Sequence, residues 1–230
     1  MPDNLIQEPT VSRTMQPDAI EAASFAIIDR ELRQRLTPDH PRHPDNLSGT
    51  ERALLYRMIH TSADFAYADS LWLSVGVLDH SLCLLRERPV IVTDTGMAAA
   101  GINKAKLQLL GGEVHCYISD PEVAEAARSH GLTRASVSMD QSLKLAGTGR
   151  PIIYAIGNAP TALLRLHELI TAGRLQPDLI IGVPVGFVHV VEAKEMIRQL
   201  AVPAILTRGR KGGSAIAAAI VNALMAAAIH

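Results

Sequence analysis

Tyr154-Ala-Ile-Gly-Asn-Ala-Pro-Thr161 starts as an apolar strand, breaks at glycine and runs into a helical pattern. Ile181-Gly-Val-Pro-Val-Gly-Phe-Val188 and Leu206-Thr-Arg-Gly-Arg-Lys-Gly-Gly-Ser214 follow the same plan. Glycine at such a break lets the backbone turn sharply and approach a ligand, and the helix start that follows presents unpaired N–H groups that favour anions. Three such loops point to one pocket.

Working outward, apolar runs rich in Val and Ile recur at Val90–Thr93, Val114–Ile118, Ile152–Ile156, Leu179–Val183 and Ala204–Thr207. Continuous apolar runs suit strands buried on both faces. Helical patterns lie at Pro121–His130, Arg134–Ala146, Thr161–Ala172, Val188–Leu200 and Gly213–Ala228. The alternation predicts an α/β fold, a three-layer α/β/α arrangement around an open, mostly parallel sheet of about five strands. An N-terminal helical section, Asp18–Leu36 and Gly49–Arg86, precedes the first strand and is broken by the Pro-rich loop Thr37–Ser48. Having no sheet of its own, it must pack on the later one, so residues 17–230 are read as one domain after a polar tail over 1–16.

The whole chain bounds the function. Its 230 residues are 48% apolar, ample for a buried core, and the formal charge of −1 provides no basic field for nucleic acid. Cys83 and Cys116 stand far from any CxxC spacing in apolar surroundings, and read as buried free thiols of a reducing, cytoplasmic compartment. The N-terminus lacks the basic start and apolar stretch of a secretory signal. Ser214–Ile229 is Ala-rich, interrupted by Asn222, and shorter than a bilayer span, so no membrane segment is expected.

In an open parallel sheet ligands bind beyond the carboxyl ends of the strands. Asp94-Thr-Gly-Met97, Gly157-Asn158, Pro184-Val-Gly186 and Arg208–Ser214 would open there. A ligand with several carboxylates would be held by backbone N–H groups at Gly157, Gly186 and Gly213, helped by Arg134, Arg208 and Ser214. The alternative is that the two arginines pair with surface acids. His60, at the end of an apolar helical pattern and followed by hydroxyl residues, could exchange a proton with a ligand or be a partly buried side chain. His40 and His43 have no third ligand at a recognised spacing, so a zinc site is not expected. Neither a P-loop, a GxGxxG turn nor a GxSxG elbow is present.

Arg57-Met-Ile-His60, Ala155-Ile-Gly-Asn-Ala-Pro-Thr-Ala-Leu163, Gly182-Val-Pro-Val-Gly-Phe-Val188 and Arg208-Gly-Arg-Lys-Gly-Gly-Ser214 together resemble the precorrin-8X methylmutases (precorrin isomerases) of cobalamin biosynthesis, over roughly Ile20 to Leu224. The resemblance implies an isomerase that moves a methyl group from C11 to C12 of precorrin-8X to give hydrogenobyrinic acid, or of cobalt-precorrin-8 to give cobyrinic acid. It implies no cofactor, and a homodimer, for which Ser70–Leu85, read as helical, could supply an interface. His60 falls on the family's catalytic histidine and looks like the general acid. The implied substrate contacts are Ser24, Met97, Arg134, Asn158, Gly186, Arg208, Gly212, Gly213 and Ser214. With aromatic residues only 3% of the chain, the walls facing the macrocycle would be mainly aliphatic, with Met58, Met97, Phe187 and Val188 as contributors. Two departures are the longer N-terminal tail and the small residues between Asp94 and Gly101. A non-catalytic corrinoid carrier and an enzyme acting on a phosphorylated sugar or nucleotide are the competing readings of the same loops.

Overall fold

The computed structural model describes residues 16–229; the tail expected over 1–16 lies, apart from Gln16, outside the described residues. Among them the sheet has six strands: β1 (Leu71–Leu73), β2 (Val90–Thr93), β3 (Glu113–His115), β4 (Ile152–Ile156), β5 (Leu179–Gly182) and β6 (Ala204–Thr207). Their spatial order is β1-β6-β5-β4-β2-β3, parallel throughout except for β1. The five expected apolar runs became β2 to β6, with β3 starting one residue earlier and ending before Cys116. They are nearly unbroken in apolarity because the sheet is covered on both faces.

Alternate residues feed two cores. Ile153, Ala155, Ile181 and Ile205 face one side, while Ile152, Tyr154, Ile180 and Leu206 face the other. The first side is covered by α11 (Ser214–Ile229), with α2 (Gly49–Ser62), α4 (Val77–Arg86), α5 (Gly96–Gly101) and α6 (Lys104–Leu109) packed against it. α1 (Pro17–Arg35) lies on α2. The second side carries α7 (Pro121–His130), α8 (Arg134–Gln141), α9 (Pro160–Thr171) and α10 (Val190–Arg198). The three-layer α/β/α reading therefore holds.

α11 is the Ala-rich segment, and its small side chains let α5 come close: a Cβ on Gly101 would lie 2.8 Å from that of Ala218. Its interrupting polar residue, Asn222, accepts from the N–H of Asn103 and donates to the carbonyl of Gly101, both at 2.8 Å. No described helix is long and apolar enough to cross a membrane.

Two expectations need correction. Gly49–Arg86 is not continuous helix: α2 ends at Ala63 in the left-handed conformation, α3 (Tyr67–Ser70) follows, and β1 then pairs antiparallel with β6. The short Leu-Trp-Leu run takes its strand conformation from that edge, a long-range pairing that local pattern does not carry. The cysteines are also less buried than read: Cys83 is exposed and Cys116 half-buried.

Candidate functional site

The strand order places the topological switch between β2 and β4. The chain leaves β2 for β3 through α5 on one face, and leaves β4 for β5 through α9 on the other. The crevice this opens at the carboxyl edge is the expected place for a ligand. Here a carboxylate of the chain already fills its base. Asp94, fully buried, accepts from the N–H groups of Gly157 at 2.9 Å, Asn158 at 2.8 Å and Ala159 at 2.6 Å. Burial pushes the Asp94 carboxyl above its usual range, against the three N–H donors that favour its charge.

Beside this crevice the glycine loops interlock. A Cβ on Gly212 would lie 2.0 Å from the Val183 carbonyl oxygen, and one on Gly157 would lie 2.6 Å from the Ser214 Cα, so only glycine allows the β4, β5 and β6 loops to meet. The Gly213 N–H donates to the Val183 carbonyl at 2.9 Å, and the Gly186 N–H donates to the Arg210 carbonyl at 3.2 Å. The hydroxyls of Thr95 and Ser214 lie 2.8 Å apart, joining the β2 loop to the start of α11.

This geometry corrects the expected role of the backbone. The N–H groups of Gly157, Gly186 and Gly213 donate within the chain, so they brace the loops and are not spare for a ligand carboxylate. Anion recognition falls to side chains around them.

The reversed strand β1 brings the N-terminal helices to the same edge. Leu71 pairs opposite Thr207, so the chain entering β1 from α2 and α3 arrives beside the β6 loop. Lys211 of that loop pairs with Asp64 at 2.5 Å, just past the end of α2. His60 lies in the last turn of α2 and is exposed, with its ring edge-on to Phe25 at 5.8 Å. Phe25 is the neighbour in α1 of Ser24, whose hydroxyl donates to the Ile20 carbonyl at 2.8 Å. One turn earlier, Glu21 takes the Arg57 guanidinium in two hydrogen bonds of 2.6 and 3.0 Å. That guanidinium holds the Glu21 carboxyl below its usual range.

On the other face Arg134 opens α8, capped by Thr133, whose hydroxyl donates to that of Thr161 at 2.8 Å at the start of α9. Arg134 is exposed and forms no ion pair with another described residue. Arg208 is also exposed, but it flanks the antiparallel edge: its N–H donates to the Ser70 carbonyl at 2.7 Å, and its side chain lines a cleft with Trp72, Lys194 and Glu195. Asn158 is exposed at the Asp94 turn. Met97 in the first turn of α5 and Phe187 and Val188 on the β5 loop are 70%, 82% and 72% exposed. The Arg210 guanidinium sits 5.4 Å from the Phe187 ring centroid. Met58 is fully buried in the core, so it cannot line a pocket wall as expected.

His40 and His43 turn to local partners, Asp69 and the Asp45 N–H, and no described cluster of three His, Cys, Asp or Glu side chains is placed to hold a metal. Sequence reasoning missed Lys194. Buried in α10, its ammonium donates to the Thr207 hydroxyl at 3.0 Å and to the carbonyls of Gly209 and Lys211, each at 2.9 Å. Its place on the helix face of Val190 and Ile197 was the one signal, and a lysine there still reads as an apolar stem with a solvated end.

The sequence profile described as Precorrin-8X methylmutase matches residues 19–227. The Cobalt-precorrin-8 methylmutase of Salmonella typhimurium is 44% identical over 212 residues, covering 91% of this chain and 95% of that protein. The Precorrin-8X methylmutase of Pseudomonas aeruginosa is 38% identical over 212 residues, covering 90% and 93%. The crystal structure of Precorrin-8x Methyl Mutase from Thermus Thermophilus superposes with a TM-score of 0.78 at 37% identity, over 92% of this chain and 98% of that one.

Proposed function

The chain belongs to the precorrin-8X methylmutase family, isomerases of cobalamin biosynthesis, and from that premise we propose that it moves a methyl group from C11 to C12 of precorrin-8X, or of cobalt-precorrin-8, with His60 as general acid. The observation that carries the assignment of the acid is the exposure of His60 in the last turn of α2, with Asp64, two residues past the end of that helix, tied to the β6 loop.

A corrinoid is a flat, apolar-faced macrocycle with carboxylates around its rim. Such a ligand calls for an apolar wall and peripheral donors. Met97, Phe187 and Val188 supply exposed apolar surface, and Arg134, Arg208 and Asn158 supply exposed side-chain donors; Ser214 is buried with its hydroxyl on that of Thr95, so it would serve by tying the β2 loop to α11. Ser24 lies on α1 next to the phenyl ring that His60 meets. Gly186, Gly212 and Gly213 serve by setting the loop shape.

The chemistry asks for one mobile proton. Imidazolium at His60 delivers it to a ring nitrogen, which draws electron density from the conjugated system. The C11–methyl bond breaks as the C12–methyl bond forms, and the proton returns to the imidazole. Composition and oxidation state are unchanged, so the step balances without an external oxidant or reductant. Cobalt, when present, travels inside the substrate. Binding a ring geometry near that of the migrating state would lower the barrier further. A homodimer and a cytoplasmic location belong to the same family-based reading.

Absorbance spectroscopy of the protein mixed with precorrin-8X tests it. Wild type should convert the spectrum to that of the rearranged corrin, and His60→Ala should bind but turn over about 10²–10⁴-fold more slowly. A bound, unconverted spectrum with wild type on both precorrin-8X and its cobalt form would replace the isomerase by a carrier. Equal rates for the two proteins would remove His60 as the acid.

A further inference from the structure

The Lys194 ammonium is 3% exposed as a residue and spends its three donors on Thr207 Oγ1, Gly209 O and Lys211 O. All three acceptors are neutral oxygens. Among the described residues no carboxylate pairs with it: the adjacent Glu195 is taken by Arg198 at 2.5 Å. The charged groups lining the cleft with it are Glu195 and Arg198 of its own helix and Arg208 just past β6, and Lys211, whose carbonyl it meets, is paired with Asp64. On α9, Arg165 turns to Asp140 and Glu168. A buried charge is costly unless it is compensated, and an ion pair is the usual compensation. Here a positive charge sits uncompensated beneath the backbone of the loop that carries Arg208, Arg210 and Ser214.

Resting on the corrinoid reading, we propose that Lys194 is a positioning residue that fixes the Arg208–Ser214 loop by its carbonyls and places beneath it the positive charge that the carboxylates of the bound macrocycle compensate. Its cage explains the loop shape. With the carbonyls of Gly209 and Lys211 drawn inward to one ammonium, the side chains of Arg208, Arg210 and Lys211 are left exposed on the outer side. The ammonium makes no contact with substrate in this scheme. It acts through the loop and through its field, which is strong in a poorly solvated interior. Burial also lowers its pKa to about 8, so its charge is sensitive to an anion arriving nearby.

The test is binding of hydrogenobyrinic acid, followed by its absorbance, to wild type, Lys194→Met and Lys194→Arg between pH 7 and 9. Lys194→Met should bind about tenfold more weakly at pH 7. Wild-type affinity should fall about fivefold from pH 7 to 9 as the free protein loses the proton that the complex keeps, and the Met variant should show no such fall. Lys194→Arg, which retains charge, should recover part of the affinity. A merely structural lysine would weaken the fold without changing the pH dependence of binding. If Lys194→Met fails to fold, NMR of the wild-type Lys194 Nζ provides the same reading: its pKa should rise when hydrogenobyrinic acid binds. An unmoved pKa, or equal affinity and pH dependence in wild type and Met variant, overturns the proposal. Corrinoid binding by wild type with those outcomes leaves the methylmutase reading intact, whereas no corrinoid binding by wild type overturns both.

Discussion

At the scale of single residues, Asp94 sets the shape of the switch crevice by gathering three consecutive N–H groups onto one carboxylate. Asp94→Ala removes the acceptor and leaves those donors in a buried turn, so chemical denaturation should show a loss of about 3 kcal/mol or more. A loss under about 1 kcal/mol would mean that water enters and takes over the bonds. The aspartate was visible in the sequence only as part of a loop; its partners lie some sixty residues away, and spacing cannot reveal which donors a carboxylate meets. His60 stood out through its motif, and its exposure at a helix end suits the acid role proposed for it. Lys194 was not singled out, because a lone lysine in an amphipathic helix reads as solvated until the loop it underlies is known.

Among elements, the strand-loop-helix units after β4, β5 and β6 were legible because apolar runs, glycine breaks and helical periodicity agree there. What the pattern could not convey was that the loops satisfy one another. Gly212→Ala tests this interlock: the new Cβ meets a backbone carbonyl, which cannot swing away as a flexible side chain would. Thermal and denaturant unfolding should register a cost of about 2–3 kcal/mol, with turnover reduced at least about tenfold. Unchanged turnover would show that the β6 loop tolerates displacement. The same limit applies to β1, whose three residues are strand only because β6 offers an open edge. Likewise Met58 sits on a helix whose inward face could be assigned, yet the neighbouring α1 and α11 decide that it is sealed off.

For the molecule as a whole, the three layers follow from the alternating pattern, and so does the placing of the candidate site at the carboxyl edge, whereas the antiparallel edge required the third dimension. Global stability should carry the signature of the buried lysine. Below pH 8 Lys194 is protonated in both folded and unfolded chains, and the cost of burying its charge is fully felt. Between about 8 and its ordinary value of 10.5 the unfolded chain binds the proton that the folded one has released, so stability rises with pH by up to about 1.4 kcal/mol per unit. Subtracting the pH profile of Lys194→Met isolates this contribution from the tyrosines, among which Tyr154 and Tyr67 are pushed up to about 12. A flat difference across that range would contradict the assigned shift. The pairing of β1 with β6 has a further consequence, for biosynthesis of the chain itself. The helices bearing Ser24 and His60 leave the ribosome early, but the strand that docks their end of the fold waits for the last strand to be made. Such long-range closure is slow relative to local helix formation. A nascent chain arrested before Ala204 would therefore hold the helix of His60, the proposed acid, beside an unfinished edge, and the proposed site would be completed in one late step with the pairing of β1 and β6.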